Sequence, residues 1–128
     1  MRLLIDTHVF LWAQDAPKRL GVSFDILADP DNDRFLSVAS AWEIAIKWST
    51  GKLVLSEPPA SYVPSRLRGL AGSPLAVTME HALAVAELPR LHGDPFDRVL
   101  VAQAQLLNMT IVTADPAVAQ YEVDSILI

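Results

Sequence analysis

The stretch "RLLIDTHVFLWAQ", residues 2–14, joins a short apolar run to a longer one through a single acid. The first five residues are typical of a buried β-strand, and the remainder is typical of a helix that follows it. The same alternation recurs along the chain. Strands are predicted at "FLSV", "LAVT", "MTIVT" and "SILI", and the main helices at "ASAWEIAIKWSTGK", "MEHALAVAEL" and "PFDRVLVAQAQLL". Because these strands are continuous apolar runs, the pattern predicts an α/β fold with a parallel sheet covered by helices on both faces.

Length and composition predict one domain over residues 1–128, long enough to bury a substantial core. Hydrophobic residues make up 52% of the chain, but no apolar run exceeds five, far below the about 20 that a membrane span needs. The first residues reach Asp6 before the apolar core of a signal peptide can develop. There are no cysteines, which excludes disulfides and thiolate metal sites. We therefore expect a cytoplasmic protein with no membrane contact.

The net charge of −5 leaves the nature of the partner open. A protein that binds nucleic acid by bulk electrostatics is normally basic. Either nucleic acid is not the partner, or cations and local basic residues offset the negative charge.

Four acids lie where the predicted strands end or where the next helices begin: Asp6, Glu43, Asp97 and Asp115. Ligands bind outside the carboxyl ends of parallel strands, so these positions predict a site. Asp94 is a fifth acid, three residues before Asp97. Asp6, Asp94 and Asp115 also occupy expected helix N-caps, and Asp94 and Asp115 directly precede a proline. Taken singly, each of these three is as well explained by helix capping as by function.

The remaining two acids also have structural explanations. Ser40 and Glu43 have the spacing of a capping box at a helix start. Lys47, four residues after Glu43, is placed to form an ion pair with it. Asp97 falls at the third position of its helix, where the helix dipole favours a negative charge.

Taken together, the acids predict a metal site. In a parallel sheet these helix starts meet at one edge, so the four carboxylates are expected to converge. Converging carboxylates repel one another and must take up a proton or a cation. Mg²⁺ and Mn²⁺ prefer oxygen ligands, and Mg²⁺ often meets phosphate oxygens on its open side. The pattern therefore indicates metal-dependent chemistry on a phosphate.

Four motifs in this order also carry a family resemblance. The set "LLIDTHVFLW", "SVASAWEIAIKWSTGKL", "HGDPFDRVLVAQA" and "TIVTAD" resembles PIN-domain ribonucleases, specifically the VapC-type toxins of bacterial toxin–antitoxin pairs. The resemblance implies a three-layer α/β/α sandwich with a central parallel sheet. It also implies that the catalytic, metal-binding residues are Asp6, Glu43, Asp97 and Asp115.

Neighbouring residues differ in what the resemblance implies for them. Thr7 and Thr113 are candidates to orient the carboxylates through their hydroxyls. Asp94 lies outside the quartet, and we favour an N-cap role for it over an auxiliary role at the site. His8 and the pair Arg98–Val99 depart from the commonest family pattern, which bears on substrate fit more than on catalysis.

The implied activity is that of an endoribonuclease. One or two Mg²⁺ or Mn²⁺ ions would orient the RNA phosphodiester and activate a water for its hydrolysis. The resemblance further implies 5′-phosphate and 3′-hydroxyl products, a homodimer, and silencing by a VapB-type antitoxin. The antitoxin is expected in a groove formed by the helices "THVFLWAQ" and "AWEIAIKWSTGK", with "EPPASYVPSRLRGL" at the rim.

Two other readings remain open. A signalling receiver domain is also doubly wound and holds Mg²⁺ in an acidic pocket, but it needs paired acids after the first strand and a lysine near the last. This chain has only Asp6 there and no lysine after Lys52. The other reading is a PIN-like domain that binds a partner without catalysis, which the presence of all four acids argues against.

Basic and aromatic residues give weaker indications. The basic residues expected near the RNA path, if they are not ordinary surface charges, are Lys47, Lys52, Arg66, Arg68 and Arg98. Core packing is expected for all three tryptophans, Trp12, Trp42 and Trp48. The histidines His8, His81 and His92 lack zinc spacing, and only His92, beside Gly93 and Asp94, deserves a test. The segment "DPDND" lacks the glycine and glutamate of a calcium loop.

Overall fold

The computed structural model describes residues 1–128, which form five strands and seven α-helices. The strands are β1 (Arg2–Ile5), β2 (Asp33–Ser37), β3 (Ser73–Leu75), β4 (Thr110–Thr113) and β5 (Ser125–Leu127). The helices are α1 (Thr7–Asp15), α2 (Ser23–Ala28), α3 (Val38–Ser49), α4 (Pro59–Gly69), α5 (Met79–Ala84), α6 (Pro95–Leu107) and α7 (Pro116–Ala119). Short 3₁₀ turns cover Pro17–Leu20 and Val85–Glu87. No helix is both long and apolar enough to cross a membrane.

All five strands are parallel, in the order β3-β2-β1-β4-β5. Leu4 in the central strand lies opposite Phe35 of β2 and Ile111 of β4. The chain builds outward from β1 on one side and then crosses back to β4 on the other. Such a reversal opens a crevice at the carboxyl ends of β1 and β4, where ligands bind in doubly wound folds. Receiver domains have the order 2-1-3-4-5 instead, so that alternative is wrong.

Two hydrophobic cores cover the two faces of the sheet, because side chains alternate along each strand. Leu3 and Ile5 face a core completed by α1, α2, α3 and α4. Leu4 and Ile111 face a second core built mainly from α6 and α7. The prediction of a three-layer α/β/α sandwich with a central parallel sheet is therefore confirmed.

Several predicted boundaries were wrong. The third strand is Ser73–Leu75 rather than "LAVT", since Thr78 already caps α5 by accepting a hydrogen bond from the backbone N–H of His81. Pro74 lacks a backbone N–H, which an edge strand tolerates. The second strand starts at Asp33, and Val38 belongs to α3. That helix ends at Ser49, short of Gly51, and "MEHALAVAEL" divides into α5 and a 3₁₀ turn.

The expectation of core tryptophans was also wrong for two of the three. Trp42 is 63% exposed and Trp48 is 41% exposed, both on α3. Trp12 is half-buried on α1. Exposed aromatic side chains of this size on one helix indicate a surface for a partner.

Candidate metal centre and active site

The site lies at the carboxyl end of β1 and is centred on Asp6. This residue caps α1, because its Oδ1 accepts a hydrogen bond of 2.9 Å from the backbone N–H of Val9. Its Oδ2 accepts a hydrogen bond of 2.6 Å from the Thr113 hydroxyl at the end of β4. Asp6 is only 4% exposed. Burial raises the pKa of its carboxyl, and the hydrogen bonds from Thr113 and Val9 partly offset that rise.

Thr113 connects Asp6 to the start of α7. Its hydroxyl oxygen accepts a hydrogen bond of 3.0 Å from the backbone N–H of Asp115 while it donates to Asp6. Asp115 caps α7 through an Oδ1 that accepts from the N–H of Ala117 at 2.9 Å. Thr7 does not share this role, since its buried hydroxyl has no hydrogen-bond partner and orients no carboxylate.

Glu43 is a buried carboxylate in the second turn of α3. The cap of this helix is Ser37, whose Oγ accepts from the N–H of Ala39, so the expected capping box from Ser40 to Glu43 was wrong. Glu43 is 3% exposed, and its Oε2 accepts a hydrogen bond of 2.7 Å from the Lys47 ammonium, as the spacing predicted. Its Oε1 is buried without any partner. An unpaired buried carboxylate oxygen is costly, and a bound cation would remove that cost.

Asp97 lies in the first turn of α6. Asp94 caps this helix by accepting hydrogen bonds from the N–H groups of Phe96 and Asp97, so the N-cap prediction for Asp94 is confirmed. The pKa of Asp97 is raised from 3.8 to about 6, first by burial and then by the negative charge of Asp94. The charges of Asp6 and Glu43 raise it further, against the effect of a hydrogen bond to His92. The carboxylates are therefore close enough to repel one another.

A cavity of about 320 Å³ opens at this point, between the starts of α1, α6 and α7. Its charged and titratable lining residues are Asp6, His8, Asp94, Asp97 and Asp115. One ligand atom each from His92, Asp97 and Asp115 lie within 4.8 Å of one another. Oxygen-rich sets of this kind suit Mg²⁺ or Mn²⁺. The crowded carboxylates of the cavity fit a divalent cation. Glu43 does not line the cavity, and its unpartnered buried oxygen is a separate indication of a missing cation.

The basic residues lie in varied surroundings. Lys47 contacts the site through Glu43. The guanidinium of Arg98, which the sequence analysis placed near an RNA path, donates to the backbone carbonyls of Pro89, Val85 and Leu88. Arg66 pairs with Glu57 at 3.7 Å. The other two, Lys52 and Arg68, are exposed.

Sequence analysis assigned no role to the two residues that connect to Asp97 by hydrogen bonds, His92 and Tyr121. His92 lies 3.3 Å from Asp97 Oδ2 through Nε2 and 2.7 Å from the Tyr121 hydroxyl through Nδ1. Tyr121 is 29 positions further along the chain, and no local pattern marks the pair. The histidine beside "GD" was the one available signal.

A second, apolar cavity of about 470 Å³ lies between α3 and α6. We call it the α3–α6 groove, and its larger lining residues are Val38, Trp42, Val77, Val85, Phe96 and Val99. Trp42 and Phe96 meet edge to face across it, with ring centroids 5.4 Å apart. Because Phe96 directly precedes Asp97, the groove borders the acidic cavity.

The chain is similar to several known proteins. The model of the PIN domain family matches residues 3–124. Ribonuclease VapC16 of Mycobacterium tuberculosis is 54% identical over 56 residues, which cover 44% of this chain and 40% of that protein. The matched part is thus well under half of this curated relative.

Solved structures share the fold over the whole chain. VapBC2 from Rickettsia felis, bound to a DNA fragment from their promoter, has a TM-score of 0.74 at 16% identity, covering 99% of this chain and 98% of that one. FitAcB from Neisseria gonorrhoeae has a TM-score of 0.59 at 19% identity, and the match covers 96% of this chain and 95% of that one. At these identities the likeness establishes the fold alone.

Proposed function

The chain belongs to the PIN-domain family, and on that basis we propose that it is a metal-dependent endoribonuclease, the toxin of a toxin–antitoxin pair. The observation that carries the proposal is the meeting of Asp6, Asp97 and Asp115 at one cavity. Glu43 does not line this cavity, but it has a buried oxygen without a partner and its charge acts on Asp97. The name of the similar Mycobacterium tuberculosis protein, a ribonuclease, supports the choice of RNA as substrate.

The residues that would hold the cation are Asp6, Glu43, Asp97 and Asp115. A bound Mg²⁺ or Mn²⁺ would orient the scissile phosphate and lower the pKa of the attacking water. Such a cation also counters the net charge of −5, which would otherwise repel the phosphate backbone.

Hydrogen bonds and an ion pair within the protein orient the acidic side chains of this site. Thr113 donates to one oxygen of Asp6, and the N–H of Val9 donates to the other, so the carboxylate is fixed in one orientation. Lys47 neutralises part of the charge of Glu43. In the proposed hydrolysis, water attacks phosphorus and the bond to the 3′-oxygen breaks. The phosphate then stays on the 5′ end of the downstream fragment, and the 3′-oxygen takes up a proton.

We also propose two protein partners. A VapB-type antitoxin would bind along α1 and the outer side of α3, where Ile46 and Trp48 are exposed. A second copy of the chain would bind at the α3–α6 groove, where Trp42 presents an apolar surface next to Phe96. Contiguous exposed apolar surface of this kind marks protein interfaces, and a symmetric dimer would bring the same groove together from both copies.

The first test is cleavage of a mixed RNA pool with end mapping, in Mg²⁺, Mn²⁺ or EDTA. The purified chain is compared with Asp97→Asn and with Asp25→Asn, which changes an exposed acid of α2 as a matched control. We expect cleavage that needs the metal, persists in Asp25→Asn and disappears in Asp97→Asn. Intact RNA with the folded wild type, free of antitoxin, would refute the nuclease proposal and favour a domain that only binds a partner.

A further inference from the structure

A directed series of hydrogen bonds leads from Arg98 on α6 to Asp97 at the acidic cavity. Arg98 contacts Tyr121, Tyr121 contacts His92, and His92 contacts Asp97. The three distances, in that order, are 3.0, 2.7 and 3.3 Å. The ring of His92 also packs edge to face on Tyr121, with centroids 5.4 Å apart.

Arg98 determines the donor and acceptor roles along this series of hydrogen bonds. A guanidinium carries only donors, so Arg98 must donate to the hydroxyl oxygen of Tyr121. Its orientation is held by the backbone carbonyls of Pro89, Val85 and Leu88, which accept from the same guanidinium. Arg98 therefore cannot reverse its role without losing those bonds.

The Tyr121 hydroxyl then has one acceptor to which it can donate its proton. The residue is 3% exposed, and its hydroxyl has two hydrogen-bond partners, Arg98 and His92 Nδ1. Because Arg98 cannot accept, a hydroxyl proton that did not point to His92 would be buried without a partner, which is unfavourable. Tyr121 therefore donates to His92 Nδ1. That nitrogen is the unprotonated one, and the ring proton sits on Nε2, facing Asp97 Oδ2.

We propose that His92 is a positioning residue of the site, fixed by Tyr121 in the tautomer that donates from Nε2 to Asp97, and is not itself a metal ligand. The inference rests on the proposed function in one respect: the position of Asp97 matters for cleavage only if the acids bind the cation. The hydrogen bond occupies Asp97 Oδ2 and leaves Oδ1 for the cavity.

The alternative is that His92, Asp97 and Asp115 ligate a metal together, since their ligand atoms are within 4.8 Å of one another. A ligating Nε2 must be unprotonated, which would move the ring proton to Nδ1. Nδ1 would then donate to Tyr121, and the hydroxyl proton of Tyr121 would have no acceptor. The alternative thus costs a buried hydrogen bond that the proposed tautomer keeps.

The decisive experiment is two-bond ¹H–¹⁵N NMR of the metal-free full chain with labelled histidine, above the pH range in which histidine titrates. The spectrum of His92→Gln assigns the signal among the three histidines. We expect a bare Nδ1 and a protonated Nε2 in the wild type, and loss of that preference in Tyr121→Phe. A protonated Nδ1 with a bare Nε2 in the wild type would overturn the proposal. This readout needs no cleavage, so it stands even if the nuclease proposal fails.

Mn²⁺ binding by calorimetry separates positioning from ligation. Tyr121→Phe and His92→Ala should each weaken binding by about 10-fold, the usual effect of removing a residue that orients a ligand. The double variant should bind Mn²⁺ no more weakly than His92→Ala does, because both substitutions interrupt the same series of hydrogen bonds. Tyr62→Phe is the matched control, since Tyr62 is also buried but lies in the core on the other face of the sheet, and it should bind like the wild type. A His92→Ala loss far above that of Tyr121→Phe, or additive losses, would identify His92 as a ligand and refute the proposal.

Discussion

Replacing Asp97 with asparagine should stabilise the metal-free chain at neutral pH. The pKa of this carboxyl is raised from 3.8 to about 6 by burial, with the charges of Asp94, Asp6 and Glu43 adding to the effect. Such a shift corresponds to about 3 kcal/mol against the charged form in the folded chain. Asparagine has a similar shape and no charge, so it avoids this cost. It also loses the charge-assisted bond from His92, which reduces the expected gain to about 1–3 kcal/mol.

The effect has a definite dependence on pH. The folded chain holds the Asp97 proton more tightly than the unfolded chain does, so the free energy of unfolding of the wild type falls as pH rises through the interval from 3.8 to about 6. The advantage of Asp97→Asn should therefore be absent well below pH 3.8, where the Asp97 carboxyl is protonated in both the folded and the unfolded chain, and complete above about pH 7.

Thermal unfolding in EDTA across this pH range measures the difference. For a chain of this length the variant should melt about 3–10 °C above the wild type at neutral pH. Asp25→Asn, the exposed-acid control, should show no such pH-dependent gain. Added Mn²⁺ should stabilise the wild type and reduce or reverse the difference, because a ligand that binds only the folded state raises its stability. A variant no more stable than the wild type at neutral pH would refute the claim that burial and the neighbouring acids destabilise the Asp97 carboxylate.

Three further changes test the site and its surroundings. Thr113→Val removes the hydroxyl that donates to Asp6 and accepts from the Asp115 N–H, and it should lower the free energy of unfolding in urea by about 1–3 kcal/mol. The control Thr7→Val removes an unpartnered hydroxyl and should change that free energy very little. Equal losses would contradict the assigned hydrogen bonds. Glu43→Gln should weaken Mn²⁺ binding by more than about 10-fold in calorimetry, since even residues that only orient a ligand contribute that much; unchanged binding would remove Glu43 from the metal set. Trp42→Ala should convert the proposed dimer to a monomer in sedimentation velocity while the melting temperature at low concentration stays close to that of the monomeric wild type; an unchanged dimer would place the second copy elsewhere.

Local sequence signals predicted the elements best. The helix α6 was predicted over its observed range, with Asp94 and Pro95 defining its start. In the structure it ends at Asn108, which has the left-handed conformation. The strands β1 and β4 are buried apart from their first residues, and their central residues form apolar runs. The edge strand β3 was misplaced, because a three-residue strand containing Pro74 has little buried surface to impose a pattern.

The candidate site was predictable only as far as it depends on local structure. The aspartates could be located because each begins a helix, and parallel strands bring such starts to one edge. Glu43 was assigned to the wrong local motif, since nothing nearby in sequence shows that Ser37, rather than Ser40, is the cap. The contact between His92 and Tyr121 depends on how α6 and α7 pack, and the exposure of Trp42 depends on which face of α3 meets the sheet. Neither is encoded by spacing.

The two explanations of the acids, capping and coordination, prove to be parts of one arrangement. Asp6 and Asp115 each use Oδ1 to cap a helix, and Asp94 caps the helix that carries Asp97. The caps fix the carboxylates at the positive ends of three helices, where their charge is partly compensated. That compensation allows several acids to share one cavity in a folded chain without a cation. It is incomplete, because burial and the neighbouring carboxylates raise the pKa of Asp97, and one buried oxygen of Glu43 has no partner. The remaining repulsion favours a divalent cation, so the groups that start the helices also supply the charge that would bind it.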